Sequence, residues 1–248
     1  MMYESFASIY DRLMDDFDYD AWSRYYLRIL EDAGYAGGDV CECGCGTGNM
    51  TLRLARAGLR VTACDLSPDM LMIAQAKARK SGLRIPFIQQ DMRRLALHRP
   101  VDAVLACCDA VNYLTSEADV KAFLRRVWSS LRPGGVIAFD MSSPAKLLPM
   151  ADGFYGEDRG DVAYLWKNTY DERSRVLSMD LTFFARREDG LYRRFDELHR
   201  QRVHTSEEIA RWLGECGFLD IRSYGDRTAT PPAETDLRIH FTAKRGTN

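Results

Sequence analysis

Apolar positions along the chain switch between two periods, and the switches mark the elements. Phe6, Ile9, Tyr10, Leu13 and Met14 recur at helical spacing, and Trp22, Tyr26, Ile29, Leu30 and Ala33 do so again. Two amphipathic helices are therefore expected before the first strand, joined by the acidic, aromatic link from Asp15 to Asp20. From residue 39 short apolar runs alternate with helical patterns. Strands are predicted at Asp39 to Glu42, Arg60 to Cys64, Ile85 to Gln89, Val101 to Cys107 and Val136 to Met141. The run at 101 to 107 is apolar enough to be central in a parallel sheet.

Helix signals fill the gaps. Gly48 to Arg56 is one helix, stopped by Gly58. Ser67 caps the next, with Pro68 at its first position, where a missing N–H costs nothing. Ser116 with Asp119 resembles a capping box for a helix through Phe123, Val127 and Leu131, and Pro133-Gly134-Gly135 then turns the chain into the fifth strand. Regular alternation of this kind predicts an α/β fold built on a doubly wound parallel sheet.

Residues 142 to 204 break the rhythm. Val162 to Tyr170, Val176 to Arg186 and Leu191 to Val203 each read as strands, separated by Asp171-Glu172-Arg173 and Glu188-Asp189-Gly190. Those separators are turn chemistry, so an antiparallel three-stranded insertion is expected. Thr205 with Glu208 is a second capping box, opening a helix that ends at Gly217. Phe218 to Tyr224 is a strand. Leu237, Ile239, Phe241 and Ala243 alternate with Arg238, His240, Thr242 and Lys244 in a last, half-buried strand.

The whole reads as one domain of 248 residues: a helical cap (1–34), a core (35–145 and 205–248) and the insertion (146–204). Its 46 % hydrophobic and 28 % charged residues are ordinary globular usage, enough to bury a core without staples. A net charge of -2 argues against a bulk nucleic-acid binder. No run of apolar residues is long enough to span a membrane, and Met1 to Asp16 lacks the pattern of a secretory signal. Seven scattered cysteines suggest a reduced, cytoplasmic protein. A homodimer is left open.

Chemistry concentrates at Glu42-Cys43-Gly44-Cys45-Gly46-Thr47-Gly48, where a strand gives way to a helix. Glycines there permit positive φ and close approach of a ligand to the backbone. A dinucleotide fingerprint would carry its third glycine at position 49, which is Asn49, and no Gly-Lys-Ser/Thr phosphate loop is present. Glu42 is wrong for a phosphate and right for an ammonium or sulfonium ligand. Asp65, at the end of the second strand, is placed to accept from ribose hydroxyls. Asp91 can accept from an adenine amine, and Met92 can pack on the ring. The alternatives are a plain turn for the loop, a helix-end charge for Asp65 and a solvated carboxylate for Asp91.

Glu42-x-Gly44-x-Gly46-x-Gly48, Asp65, Asp91-Met92 and Leu131-Arg132-Pro133-Gly134-Gly135 together resemble the class I methyltransferases that use S-adenosylmethionine (SAM). Tyr10-Asp11 with Trp22, the stretch Cys107 to Tyr113 and the insertion resemble one subgroup, bacterial small-molecule methyltransferases related to glycine and amino-sugar N-methyltransferases. The resemblance implies a Rossmann-like seven-stranded sheet of order 3-2-1-4-5-7-6 with strand 7 antiparallel. It places Tyr10 near the methionine end of SAM and Trp22 near the cofactor. Cys45, Leu66, Met70 and Cys107 complete the expected cofactor contacts.

Three other groups are read as follows. Cys41, Cys43 and Cys45 lack zinc-ligand spacing and read as small buried apolar residues, with no metal expected. Six arginines between Arg186 and Arg202 are offset by four acids and read as a solvated hairpin face rather than an anionic-substrate site. His199 and His204, five apart, point to opposite faces of a regular strand.

The expected reaction is in-line methyl transfer to nitrogen or oxygen of a small molecule. Alignment supplies most of the catalysis, about 7–11 kcal/mol. Asn112 and His199 are the catalytic candidates, with Asp109 and Tyr164 behind them. Transfer to RNA or protein, SAM binding without transfer, and a NAD-linked dehydrogenase are the competing functions.

Overall fold

Strand β1 (Asp39–Cys43) is buried along its whole length, and its neighbours explain why. It lies between β2 (Arg60–Asp65) and β4 (Val101–Ala106), parallel to both. A strand covered on both faces and both edges has no polar side, which is why Val40, Cys41 and Cys43 are apolar and the two carboxylates, Asp39 and Glu42, are both buried. The computed structural model describes residues 6–247, so the first five residues of the expected cap lie outside it.

The main sheet has seven strands in the order β3-β2-β1-β4-β5-β11-β10, with β3 (Phe87–Gln89), β5 (Leu131–Ser142), β10 (Phe218–Tyr224) and β11 (Arg238–Arg245) completing it. Strand β11 runs antiparallel to both β5 and β10. With the insertion strands left out of the count, this is the expected order with its last strand reversed.

Helices cover both faces. On one side α2 (Tyr19–Asp32) and α3 (Asn49–Arg56) pack Trp22, Tyr26, Ile29 and Leu54 against Val40, Ala103 and Leu105. On the other, α5 (Glu117–Ser130) and α7 (Ser206–Glu215) bring Phe123, Val127, Trp212 and Leu213 onto Val104, Ile137 and Phe241. Each such fully buried side chain contributes roughly 1.5–3 kcal/mol. α4 (Pro68–Lys80) flanks the β2–β3 end, its first turn closed by the Ser67 hydroxyl accepting the Met70 N–H. The Thr205 and Glu208 box is complete at α7. At α5 only half of the expected box forms: Ser116 accepts the Asp119 N–H, while the Asp119 carboxylate takes the Ser116 hydroxyl instead of its backbone.

The insertion is antiparallel as expected and holds one strand more than the pattern showed. β6 (Phe154–Asp158) pairs with β7 (Val162–Asp171), followed by β8 (Val176–Arg186) and β9 (Tyr192–Arg202). All five β6 residues are exposed, so no burial period marks it. The inner face of β8 presents Leu177, Met179, Leu181 and Phe183, which pack against Ile9 of α1 (Phe6–Leu13) and Leu147 of α6 (Pro144–Leu147). This apolar seam holds the insertion and the first helix together over the carboxyl end of the main sheet. Among the described residues, no helix is long and apolar enough to cross a membrane.

Candidate functional site

The glycine loop leaves β1 through three left-handed positions, Gly44, Gly46 and Gly48, with φ of 69°, 52° and 78°. They do different work. A Cβ on Gly48 would meet Ala74 Cβ at 2.9 Å, and Gly48 lies off the cavity, where it lets α3 pack on α4. A Cβ on Gly46 would meet no protein atom within 4 Å, because Gly46 faces open space. That is a cradle left for a ligand. The Gly46 N–H donates to Asp65 Oδ2 at 2.7 Å, and the Ser67 N–H donates to Asp65 Oδ1 at 2.9 Å. Asp65 thus ties the loop to the end of β2, and each oxygen keeps a second lone pair for a ligand hydroxyl.

One cavity of about 830 Å³ begins at this loop and continues under α1 to the insertion sheet. Of the expected cofactor residues, Tyr10, Glu42, Gly44, Cys45, Gly46 and Asp65 line it. So do Leu66, Met70, Asp91, Met92 and Cys107, and so does His199. Three expected residues do not line it. Gly48 is the first. Trp22 is buried in the core, its ring beneath the Arg238 guanidinium at 5.0 Å, so it supports the site from behind and does not line it. Asn112 is 0 % exposed. Its amide donates to the carbonyls of Ser142 and Arg202, and its oxygen accepts the Ser142 N–H. Both amide hydrogens are spent on backbone carbonyls and the side chain is enclosed away from the cavity, so it ties β5 to β9 and does not reach a substrate.

Two of the carboxylates differ in their freedom. Asp91 spends both oxygens on Arg93, which also pairs with Asp119, and this guanidinium holds its carboxyl below the usual range. Glu42 is 2 % exposed and has one protein partner, the Thr51 hydroxyl, which donates to it at 2.5 Å. Burial pushes its carboxyl up to about 8. It is thus a buried acid ready to ionise when a cation arrives.

The floor beyond the loop is held by Asp140. Cys108 and Asp109 both have left-handed backbones, at φ 59° and 56°, which non-glycine residues adopt only when the surroundings compel it. The buried Asp140 carboxylate accepts both of their N–H groups, at 2.7 and 2.9 Å, together with the Tyr26 hydroxyl and Arg238. Arg238 also pairs with Asp109 at 2.8 Å, and Gln201 donates to Asp109. This network has no signature in the sequence, because its members lie on α2, in the turn after β4, and on β5, β9 and β11, far apart along the chain.

Tyr113 was missed as well. The residue is 47 % exposed, lines the cavity and sets its hydroxyl 3.2 Å from His199 Nδ1. Burial pushes the His199 imidazole below its ordinary value, and Nε2 is enclosed without a partner. A neutral imidazole accepting from Tyr113 fits both facts. His204 bonds the Leu114 carbonyl in the core, and burial lowers it to about 4. The roof is tied down by Asp11 of α1, which accepts from Thr47, Asn49 and Lys77.

Outside the cavity, Cys41 and Cys43 share a strand face, and strand pairing adds Cys64, so three Sγ atoms lie within 4.8 Å of one another in the apolar core. None of the six arginines from Arg186 to Arg202 lines the cavity, and five of them are exposed.

Residues 40–135 match a family model described as a methyltransferase domain. A candidate methyltransferase of Geobacillus sp. (strain WCH70) is 38 % identical over 99 % of this chain and 100 % of its own length. The crystal structure of a SAM-dependent methyltransferase from Clostridium acetobutylicum ATCC 824 superposes with a TM-score of 0.88, at 30 % identity, covering 97 % of this chain and 98 % of that one. A glycine/sarcosine N-methyltransferase of Aphanothece halophytica is 26 % identical over 89 % of this chain and 80 % of its own length.

Proposed function

The chain belongs to the class I SAM-dependent methyltransferases, and from that premise we propose that it methylates a nitrogen or oxygen atom of a small molecule held between the glycine loop and the insertion. The observation that carries this reading is the cavity of about 830 Å³, which runs past the loop and under a roof. Its size falls in the range of small-molecule sites. A pocket ending at the loop would have favoured binding without transfer.

Glu42, Asp65 and the open face of Gly46 fit SAM. The first offers a carboxylate to a cationic ligand and the second offers lone pairs to a ribose. Bound there, SAM supplies a methyl carbon activated by its sulfonium, which an acceptor lone pair can take in line. The protein then has to align and enclose. The Asp140 network fixes the floor, Asp11 pins α1 over the loop, and β8 excludes water from the far end. Tyr113, oriented by neutral His199, is the group placed to accept a hydrogen bond from the acceptor and relay its proton. The domain therefore reads as a cap, a SAM-binding core and an insertion forming the acceptor wall. All seven cysteines are free, which supports a reducing, cytoplasmic setting.

Methyl-labelled SAM incubated with the protein and separate pools of small amines, small phenols, bulk RNA and denatured protein tests this directly. Label in a small-molecule pool is expected. Label in RNA or protein alone would overturn the reading.

A further inference from the structure

Four cationic side chains line the cavity: Arg93, Lys146, Arg159 and Arg238. Three have carboxylate partners. Arg93 holds Asp91 and Asp119, Arg159 holds Asp15 and Glu157, and Arg238 holds Asp109 and Asp140. Lys146 has none within ion-pair distance among the described residues; its Nζ donates to the Ser142 hydroxyl at 3.2 Å. Two of its three donors are therefore unspent. The side chain is half-buried, and burial, with Arg238 nearby, pushes its ammonium below the ordinary lysine range, outweighing the pull of the Asp109, Asp140 and Asp226 carboxylates beyond ion-pair distance. A desolvated ammonium with free donors is favoured by an anion brought to it.

The walls near it have a different character. Leu147, the next residue, lines the cavity with Phe6, Trp166, Met179, Leu181 and Phe183. Phe6 and Phe183 sit with ring centroids 5.4 Å apart. A polyol would find partners at the polar edge of the wall, His199, Tyr164 and Gln201, while each of its hydroxyls set against the rings themselves would lose its water without a replacement. A flat apolar ring would instead gain contact area and aromatic packing.

Resting on the small-molecule reading above, we propose that the acceptor is a small carboxylate-bearing molecule with an aromatic body, its carboxylate held by Lys146 and its ring against the wall of Phe6, Trp166 and Phe183. The aromatic wall selects against sugars, and the free cation selects against neutral aromatics. Glycine would satisfy the cation and leave the wall unused.

The test is calorimetric binding to the protein saturated with S-adenosylhomocysteine, which reads acceptor affinity apart from turnover. The probes are hydroxybenzoates, aminobenzoates, a hydroxyphenylacetate and a hydroxycinnamate, each beside its analogue lacking the carboxylate, together with glycine and an aminohexose. The aromatic acids are expected to bind at least tenfold more tightly than their uncharged partners, than glycine and than the aminohexose. Lys146→Met should abolish that preference while leaving S-adenosylhomocysteine affinity unchanged, and Lys146→Arg should retain it. Tighter binding of glycine or the aminohexose overturns the proposal, as does equal binding of acids and their neutral analogues. So does a parallel loss of S-adenosylhomocysteine affinity in Lys146→Met, since the lysine would then serve the donor's own carboxylate. These outcomes leave methyl transfer to small molecules standing. That broader reading fails separately, when label enters RNA or protein alone.

Discussion

Asp65 accepts the backbone N–H of Gly46 across 2.7 Å, so the residue expected to bind the ribose also sets the shape of the glycine loop. Removing it has two consequences, loss of a ligand acceptor and release of the loop. Asp65→Ala is expected to weaken SAM binding by about 1–3 kcal/mol, roughly five- to 150-fold. Titration calorimetry measures this. An unchanged affinity would remove Asp65 from the binding site.

Gly46 separates folding from binding. A side chain added there meets open space, so the fold can accept it at the cost of a strained left-handed backbone, about 1–2 kcal/mol. Gly46→Val is therefore expected to fold, with a lowered melting temperature, and to lose SAM binding because its methyl groups occupy the cradle. Circular dichroism and calorimetry on one preparation check both halves. Retained binding would place the donor elsewhere in the cavity.

Glu42 makes both stability and affinity depend on pH. Its folded-state carboxyl is raised to about 8, so folding favours the protonated form. That stabilisation is present below the ordinary carboxylate range and is lost as pH rises toward 8. The ligand-free protein should thus lose several kcal/mol at most between pH 5 and 8.5, and Glu42→Gln should flatten this part of the profile. A cationic ligand has the opposite preference, since it favours the ionised acid. SAM affinity is expected to rise by up to about tenfold per pH unit between 5.5 and 7.5 in the native chain. A SAM affinity that does not change with pH over that range would mean that the cation does not meet Glu42.

How far the sequence carried differs between fold and site. Period-two and period-3.6 patterns, Ser67-Pro68 and the glycine stops placed every strand of the main sheet, because each marks a local backbone requirement. β6 escaped because all its residues are exposed and no alternation exists to see. The cofactor side was legible for the same local reason: Glu42, the glycines and Asp65 lie at strand ends that the loop itself announces. The acceptor side was not. Asp140, Arg238, Gln201 and Lys146 acquire their roles only when separate elements converge. Trp22 and Asn112 were placed by their neighbours in sequence, and packing turned both toward the core.

The pair Asn112 and Tyr113 gives the sharpest contrast, since adjacent residues should fail in different ways. Asn112 is buried and bonded wholly to backbone. Asn112→Ala strands buried carbonyls of Ser142 and Arg202 and the Ser142 N–H, each costing about 1–3 kcal/mol when left unpaired. It should lower the urea midpoint strongly and affect turnover only as far as the folded fraction falls. Tyr113 lines the cavity, its hydroxyl 3.2 Å from His199 Nδ1 and within hydrogen-bond reach of Gln201. Tyr113→Phe should leave stability and SAM affinity within error and lower kcat by about 10²-fold or more, the range of a lost general acid–base group. His199→Gln, which can still accept from the tyrosine, should fall between the two in kcat. Urea melts alongside kcat and KM for the three variants decide the matter. If Asn112→Ala abolishes turnover in a protein that remains folded, the catalytic role belongs to the asparagine and the tyrosine assignment is wrong.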